Sequence, residues 1–409
     1  MRRALVKLPK FEKIVYKPIP VSELLLEMKN LSELMIDLAY SAALYNDKDL
    51  AEDVLALENR VDYLSYLLDM EIMVAARDAK DAESLIGVSI VAASTDKISD
   101  AAADIAAIVT SDIGVHPIVG EIFEKVEERL MKVTVKPNSE IIRKKIGELD
   151  LAARMGVDII AIRRNQDWIL NPKEDETVNQ GDILITRGAP SGVEEFKDIA
   201  EGKLATLDTE NRARFEEIVA RFVELKDTSE LMIDLAYSSL MLNSKGLAEE
   251  VERLEERMDR LHTDFELLAL MSDFKKEEAS GFLGLIRLGI ATEKIADAAA
   301  DMAEVVLREI EPHPILKLTI REAEETVIQA CVSADSPLVG KTLKEAQIHE
   351  ETGMWVLVIK RKDNSVRPRG ESKIAAGDIL LASGYAEGAE DLKRLASPTQ
   401  TCDLNEQEA

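Results

Sequence analysis

Residues 32–41 read SELMIDLAYS, and residues 229–238 read SELMIDLAYS again. The offset, 229 − 32 = 197, holds well beyond that stretch. Ala101-Ala102-Ala103-Asp104 returns as Ala298-Ala299-Ala300-Asp301, His116-Pro117 as His313-Pro314, and Gly156 as Gly353. One residue of slip appears late, where Gly181-Asp182-Ile183-Leu184 becomes Gly377-Asp378-Ile379-Leu380. The chain is therefore one unit written twice. Two copies in one polypeptide can pack about a pseudo-twofold axis as a homodimer does, and a site on that axis is built from two unlike halves.

Within each copy two kinds of segment alternate. Leu24, Leu25, Met28, Leu31, Leu34, Met35, Leu38 and Ala42 recur at helical spacing. Asn46-Asp47 reads as a break with Asp47 or Asp49 as the next cap. A second helix carries Val54, Leu57, Val61, Leu64 and Leu68. A third, expected from about Ala82 to Thr110, is rich in alanine and places Ile86, Ile90, Ala93, Ile98 and Ile105 on its apolar face. Small residues let helices approach closely, so this helix is expected to dock against its twin. His116 and His313 read as loop residues before proline.

The pattern then changes to short strands at Leu130–Val135, Val157–Ile162, Trp168–Leu170 and Ile183–Thr186, with short helices at Glu140–Leu149 and Glu194–Ile199. A module this small is marginal alone, and pairing with its twin would supply the missing burial. The expected domains are an arm at 1–20, helical domains at 21–120 and 211–316, α+β domains at 126–202 and 323–397, and a tail at 398–409. The fold class is thus α plus α+β multidomain, two three-helix bundles forming a pseudo-six-helix body and alternating with two small α+β domains.

A formal charge of −27 over 409 residues argues against nucleic acid and anionic lipid as direct partners. The two cysteines, Cys331 and Cys402, lack metal-ligand spacing. No apolar leader and no membrane-spanning run is visible. A cytoplasmic protein, membrane-associated through a partner, is expected.

Acids recur every fourth residue: Asp96, Asp100 and Asp104 on the third helix, and Glu293, Asp297 and Asp301 on its twin. The second helix has Glu58 and Asp62, its twin Glu255 and Asp259. Like charges at this spacing share a face and repel by a few tenths of a kcal/mol per pair. Either the face is simply solvated, or facing helices hold a divalent or transition-metal cation through oxygen ligands. In the modules, Arg163-Arg164 and Lys360-Arg361 end strands in an otherwise acidic chain, with Asn171-Pro172 and Arg367-Pro368 following. A basic pair at a strand end can hold a phosphate or carboxylate, and an exposed hairpin with ordinary surface charge is the competing reading.

ELLLEMKNLSELMIDLAYS, Glu58-x-x-x-Asp62 and the Asp96/Asp100 pair resemble the PhoU domain family. That resemblance implies three-helix repeats whose acidic motifs bind metal clusters, here through Glu58, Asp62, Asp96, Asp100, Glu255, Asp259, Glu293 and Asp297. The order Gly156-to-Arg164, Trp168-to-Pro172, Gly181-to-Leu184 resembles the TrkA-C (RCK C-terminal) domain. Its implied properties are pairing and a small effector, cyclic di-AMP in several relatives, bound near Arg163, Arg164, Asn171, Pro172, Lys360, Arg361, Arg367 and Pro368. Together the resemblances imply a cytosolic regulator of cation transport, chiefly potassium, that binds a small anionic effector (a nucleotide among the options) and a membrane channel or transporter, with homo-oligomers foreseen. Walker, dinucleotide-binding and nucleophile-elbow motifs are absent, so no enzyme is expected. A phosphate-uptake regulator and a metal-dependent phosphohydrolase are the alternatives.

Overall fold

The computed structural model describes residues 13–111, 113–149, 151–165, 167–201, 215–361, 364–366, 368 and 372–398. In chain order the first copy gives α1 (Val21–Tyr45), α2 (Lys48–Ala75), α3 (Ala79–Thr110), α4 (Ile118–Phe123), β1 (Arg129–Thr134), α5 (Ile146–Leu149), α6 (Leu151–Met155), β2 (Val157–Arg164), β3 (Asp167–Leu170), β4 (Ile183–Gly188) and α7 (Pro190–Glu201). The second gives α8 (Glu216–Leu242), α9 (Lys245–Met271), α10 (Ala279–Leu307), α11 (Pro314–Glu322), β5 (Glu325–Cys331), α12 (Leu343–Ala346), α13 (Ile348–Thr352), β6 (Met354–Arg361), β7 (Asn364–Val366), β8 (Ile379–Tyr385) and α14 (Ala389–Ala396). These elements gather into a helical unit, residues 1–126 with 209–323, and a module unit, residues 127–208 with 324–409. Each unit combines a part of both copies.

In the helical unit, Asn46 and Asn243 end α1 and α8 in the left-handed conformation, each at φ 48°. Asp47 caps α2 by accepting from the Leu50 amide. The third helix starts three residues earlier than its apolar spacing predicts, because Asp78 caps it through the amides of Lys80 and Asp81. Its apolar face also differs from the expected one. Ile86 and Ala93 are exposed, while Leu85, Val88, Val91 and Ala92 are buried. The reason is that α3 packs on α1 and α2 on one side and on α10 on the other, so two buried stripes blur the single period. The two histidines do more than precede a proline. Nδ1 of His116 accepts from the Ile118 amide and Nδ1 of His313 from the Ile315 amide, starting α4 and α11.

The α3–α10 seam joins the copies. Lys97 Nζ lies 2.5 Å from Asp301 Oδ2 and Lys294 Nζ 2.7 Å from Asp104 Oδ2, so position rises along one helix as it falls along the other. The helices run antiparallel about a pseudo-twofold. Ala101, Ala102, Ala298 and Ala299 are fully buried there. A Cβ on Gly284 would sit 1.9 Å from the Gly114 carbonyl oxygen, which only glycine tolerates. Tyr40 and Thr292 share a 2.8 Å hydroxyl contact across the copies. Lys29 and Lys226, matched by the repeat, are buried and paired with Glu33 and Glu230 one turn on. Burial pulls the Lys226 ammonium down, but Glu230 and Asp227 outweigh it and leave the pKa raised. A buried ammonium without such partners would be costly.

In the module unit, the sheets have strand orders β1-β4-β2-β3 and β5-β8-β6-β7, all antiparallel. Irregularities fall at matching places, between Ile159 and Ala161 and between Val356 and Val358. The helix expected over Glu140–Leu149 is shorter, because Arg143 turns at φ 65° and residues 143–144 instead bond to Val178. Each module closes a core of its own, one around Val133, Val157, Ile162, Leu184 and Phe196, the other around Ala330, Met354, Ile359, Leu380 and Leu392. Burying such side chains contributes about 1.5–3 kcal/mol each.

Candidate functional site

Two regions collect the chemistry, one in each unit. In the helical unit, carboxylate oxygens of Glu58 and Asp62 on α2 and Asp100 on α3 lie within 4.8 Å of one another. Glu255 and Asp259 on α9 and Asp297 on α10 form the same group in the second copy. Asp96 sits one turn before Asp100. Its Oδ1 is buried and has no hydrogen-bond partner among the described residues. Burial, then Asp100 and Asp62, pushes its pKa up to about 7. Glu293 is likewise pushed up to about 7 by burial and then by Asp297 and Asp259. Asp100, Asp297 and Glu255 are also raised, first by burial and then by neighbouring acids. The ladder divides at Asp104 and Asp301, which pair with lysines of the opposite copy.

The clusters differ in one residue that the sequence reading passed over. His262 follows Asp259 by three residues on α9, with Nε2 3.7 Å from Glu266, and after Lys97 it offsets a little of the rise at Asp297. The matching position in copy 1 is Ser65. The signal was the Asp-x-x-His spacing, which places both side chains on one helix face.

In the module unit, the expected basic residues split into two groups. Arg164 donates from Nε to Asp182 Oδ1 (3.1 Å), from Nη2 to Asp182 Oδ2 (2.8 Å) and the Thr177 carbonyl, and from Nη1 to Glu176. Arg361 repeats the fork on Asp378 and reaches the Lys373 carbonyl. Both arginines thereby brace the Gly-Asp turn, each with a forked pair of bonds on its carboxylate. Arg164 is raised by these partners, Asp182 first. Asp378, which burial alone would raise, is lowered by Arg361.

Arg163 points elsewhere. Its guanidinium lies over the Trp168 ring, 5.7 Å from the centroid. Asn171, in the left-handed region at φ 45°, donates from Nδ2 to Glu324 of the second module (2.7 Å), and Lys173 reaches the same carboxylate (2.8 Å). Pro172 follows at half exposure, and Pro368 is half-exposed as well. Lys360 is exposed at the end of β6. Arg367 lies outside the described residues.

The modules meet along a further set of contacts. Helix α6 packs on α13. Arg187 pairs with Glu325, stands 3.6 Å from Asp158 and lies 5.0 Å over the Tyr385 ring. The Tyr385 hydroxyl donates to Glu128 (3.0 Å). Burial, with Glu128 next, pushes that hydroxyl well up.

Fold and sites together define a duplicated protein in which helical bundles carrying acidic clusters alternate with paired α+β modules. The PhoU domain matches residues 25–109 and 222–306, and the TrkA-C domain matches residues 130–201 and 327–397. The chain belongs to the tandem PhoU and TrkA-C domain proteins. It is 21% identical over 320 residues to the Trk system potassium uptake protein TrkA homolog 1 of Methanosarcina mazei, covering 68% of this chain and 67% of that one. It is 32% identical over 65 residues to the Ktr system potassium uptake protein C of Bacillus subtilis, 16% of this chain and 29% of that one. The crystal structure of PhoU from Pseudomonas aeruginosa aligns at 16% identity and a TM-score of 0.38, covering 71% of this chain and 96% of that one. No helix among the described residues is long and apolar enough to cross a membrane.

Proposed function

We propose that this chain is a regulator of a cation transporter or channel, most directly one for potassium, and that it binds a small anionic effector where its two TrkA-C modules meet. The observation that carries this reading is the pairing of the modules within one polypeptide, with Arg163 and Asn171 on the hairpin of the first and Asn171 in contact with the second. Arg163, stacked on Trp168, supplies the guanidinium of that hairpin. An effector would displace Glu324 from Asn171 and Lys173, exchanging a protein carboxylate for its own phosphate or carboxylate. Coupling of about 1–3 kcal/mol between that exchange and the partner's state is enough for regulation.

The acidic groups of the bundle are read as cation sites. The donor sets are carboxylate oxygens, which suits a hard divalent ion, and Asp96 supplies a buried carboxylate oxygen with no donor among the described residues. Bound there, a cation would offset the burial and the mutual repulsion that push Asp96 and Glu293 up to about 7.

Isothermal titration of the full chain against nucleotides, inorganic phosphate and divalent cations tests both parts. Nucleotide or phosphate binding that Arg163→Ala weakens at least tenfold supports the effector site. Divalent binding lost in Glu58→Gln with Glu255→Gln supports the cation sites. Silence across the whole panel would remove the regulator reading.

A further inference from the structure

One buried titratable side chain belongs to neither site. His349 on α13 is 7% exposed, and neither ring nitrogen has a hydrogen-bond partner among the described residues. Its ring stacks on Trp355, with centroids 3.7 Å apart at 23°. Helix α13 lies against α6 of the other module, and the His349 carbonyl oxygen comes so close to Gly156 that a Cβ there would be 2.6 Å away. Leaving a polar group buried and unpaired is costly, and a phenyl ring would fill the same space without that cost. The repeat matches His349 with Ala152 and Trp355 with Asp158, so the arrangement exists on one side of the seam only.

We propose that His349 makes the seam between the two modules proton-sensitive: the ring stays neutral while α6 and α13 are closed on it, and proton uptake favours the opened seam. Burial holds the imidazole down, at about 3, and no other cause contributes. The elements packed against α13 carry Arg154 on α6, Lys360 and Arg361 on β6, and Glu390, Asp391, Lys393 and Arg394 on α14, while α13 itself carries Glu350 and Glu351. None of them shifts His349, so no carboxylate stands ready to receive an imidazolium. The π face of Trp355 is the compensation at hand, and cation–π attraction offsets only part of the desolvation.

The sign follows from the two states. An opened seam returns the ring to its ordinary value near 6.5, so the closed seam binds fewer protons between that value and about 3. Closure is therefore fully stable above about pH 6.5 and weakens as the pH falls. At pH 5 the opening constant rises about thirtyfold over its value at pH 7.5. The inference rests on the packing of α6 on α13 and stands whether or not an anionic effector binds.

Hydrogen exchange on the full chain, corrected for the intrinsic rate at each pH, tests it. The expected result is that protection of α6 and α13, including the Gly353 amide that donates to the His349 carbonyl, falls about thirtyfold between pH 7.5 and pH 5. His349→Phe should abolish that fall. Equal corrected protection at both pH values, or a fall that survives His349→Phe, would overturn the proposal. Should the variant fail to fold, a ring-carbon NMR titration of the unsubstituted protein decides. A ring neutral below pH 5 agrees with the proposal, and an ordinary midpoint in the closed protein refutes it.

Discussion

Across the bundle seam the charged contacts come in mirror pairs: Lys97 to Asp301 and Lys294 to Asp104, with Lys29 over Tyr237 and Lys226 over Tyr40. Across the module seam the mirror fails. Arg187 meets Glu325 and Tyr385, but its own counterpart is Ser383 and that of Tyr385 is Ala189. Trp355 with His349 stands where the first copy has Asp158 with Ala152. The difference teaches where duplication leaves room for change. Helices that touch through buried alanines leave no room for bulk on either side, so Ala101 and Ala102 recur as Ala298 and Ala299. The module seam is made by side chains of many sizes, and one half can diverge as long as the other accommodates it.

The sharpest way to compare the copies is through the arginine forks. Arg164→Ala leaves the nearly buried Asp182 without its partner and should cost about 3 kcal/mol by urea denaturation. Arg361 is half-exposed, so solvent replaces part of what Arg361→Ala removes, and about 1 kcal/mol is expected. Equal losses would mean that the two turns do not differ in solvent access.

At the bundle seam, Gly284→Ala forces a methyl into the Gly114 carbonyl and should cost roughly 1–3 kcal/mol. Gly120→Ala, where nothing lies within 4 Å, is the control and should change little. If both are silent, the seam is looser than its glycines indicate.

A smaller effect separates the acidic clusters from the rest of the bundle. Asp96 and Glu293 titrate near about 7, above ordinary carboxylates. The native state therefore binds more protons than the unfolded one between the ordinary value and about 7. Chelator-treated protein should lose stability as the pH rises from 5.5 to 7.5, added divalent cation should restore it, and Asp96→Asn should flatten the slope in thermal melts. The smallest effects belong to the exposed seam pairs: Lys97→Ala and Lys294→Ala should each cost less than ~1 kcal/mol and converge on the unsubstituted protein in 1 M salt.

Much of this was legible beforehand. The repeat gives the copy number, the leucine spacing gives α1 and α2, and the alternation around Val157–Ile162 gives β2. The Glu58, Asp62 and Asp100 group follows from spacing four on helices that pack side by side. Other features were not legible, each for a physical reason. The apolar face of α3 is hidden by its two packing partners. Arg163 and Arg164 are neighbours in sequence but point to opposite faces of a strand, so one stacks on Trp168 while its neighbour clamps Asp182. His262 stands alone in sequence, three residues after Asp259, and only the packing of α9 on α10 brings it to the acidic group.

By itself, then, the amino-acid order determined the duplication, the alternation of helical and α+β segments, and the rows of acids, because periodicity and turn chemistry are local properties of a chain. The tertiary structure alone decided which acids converge, which arginines brace the turns, and that His349 is buried on a helix packed against the opposite module. Those outcomes depend on residues distant in sequence meeting at a seam, where burial and partner charges are set by both sides at once.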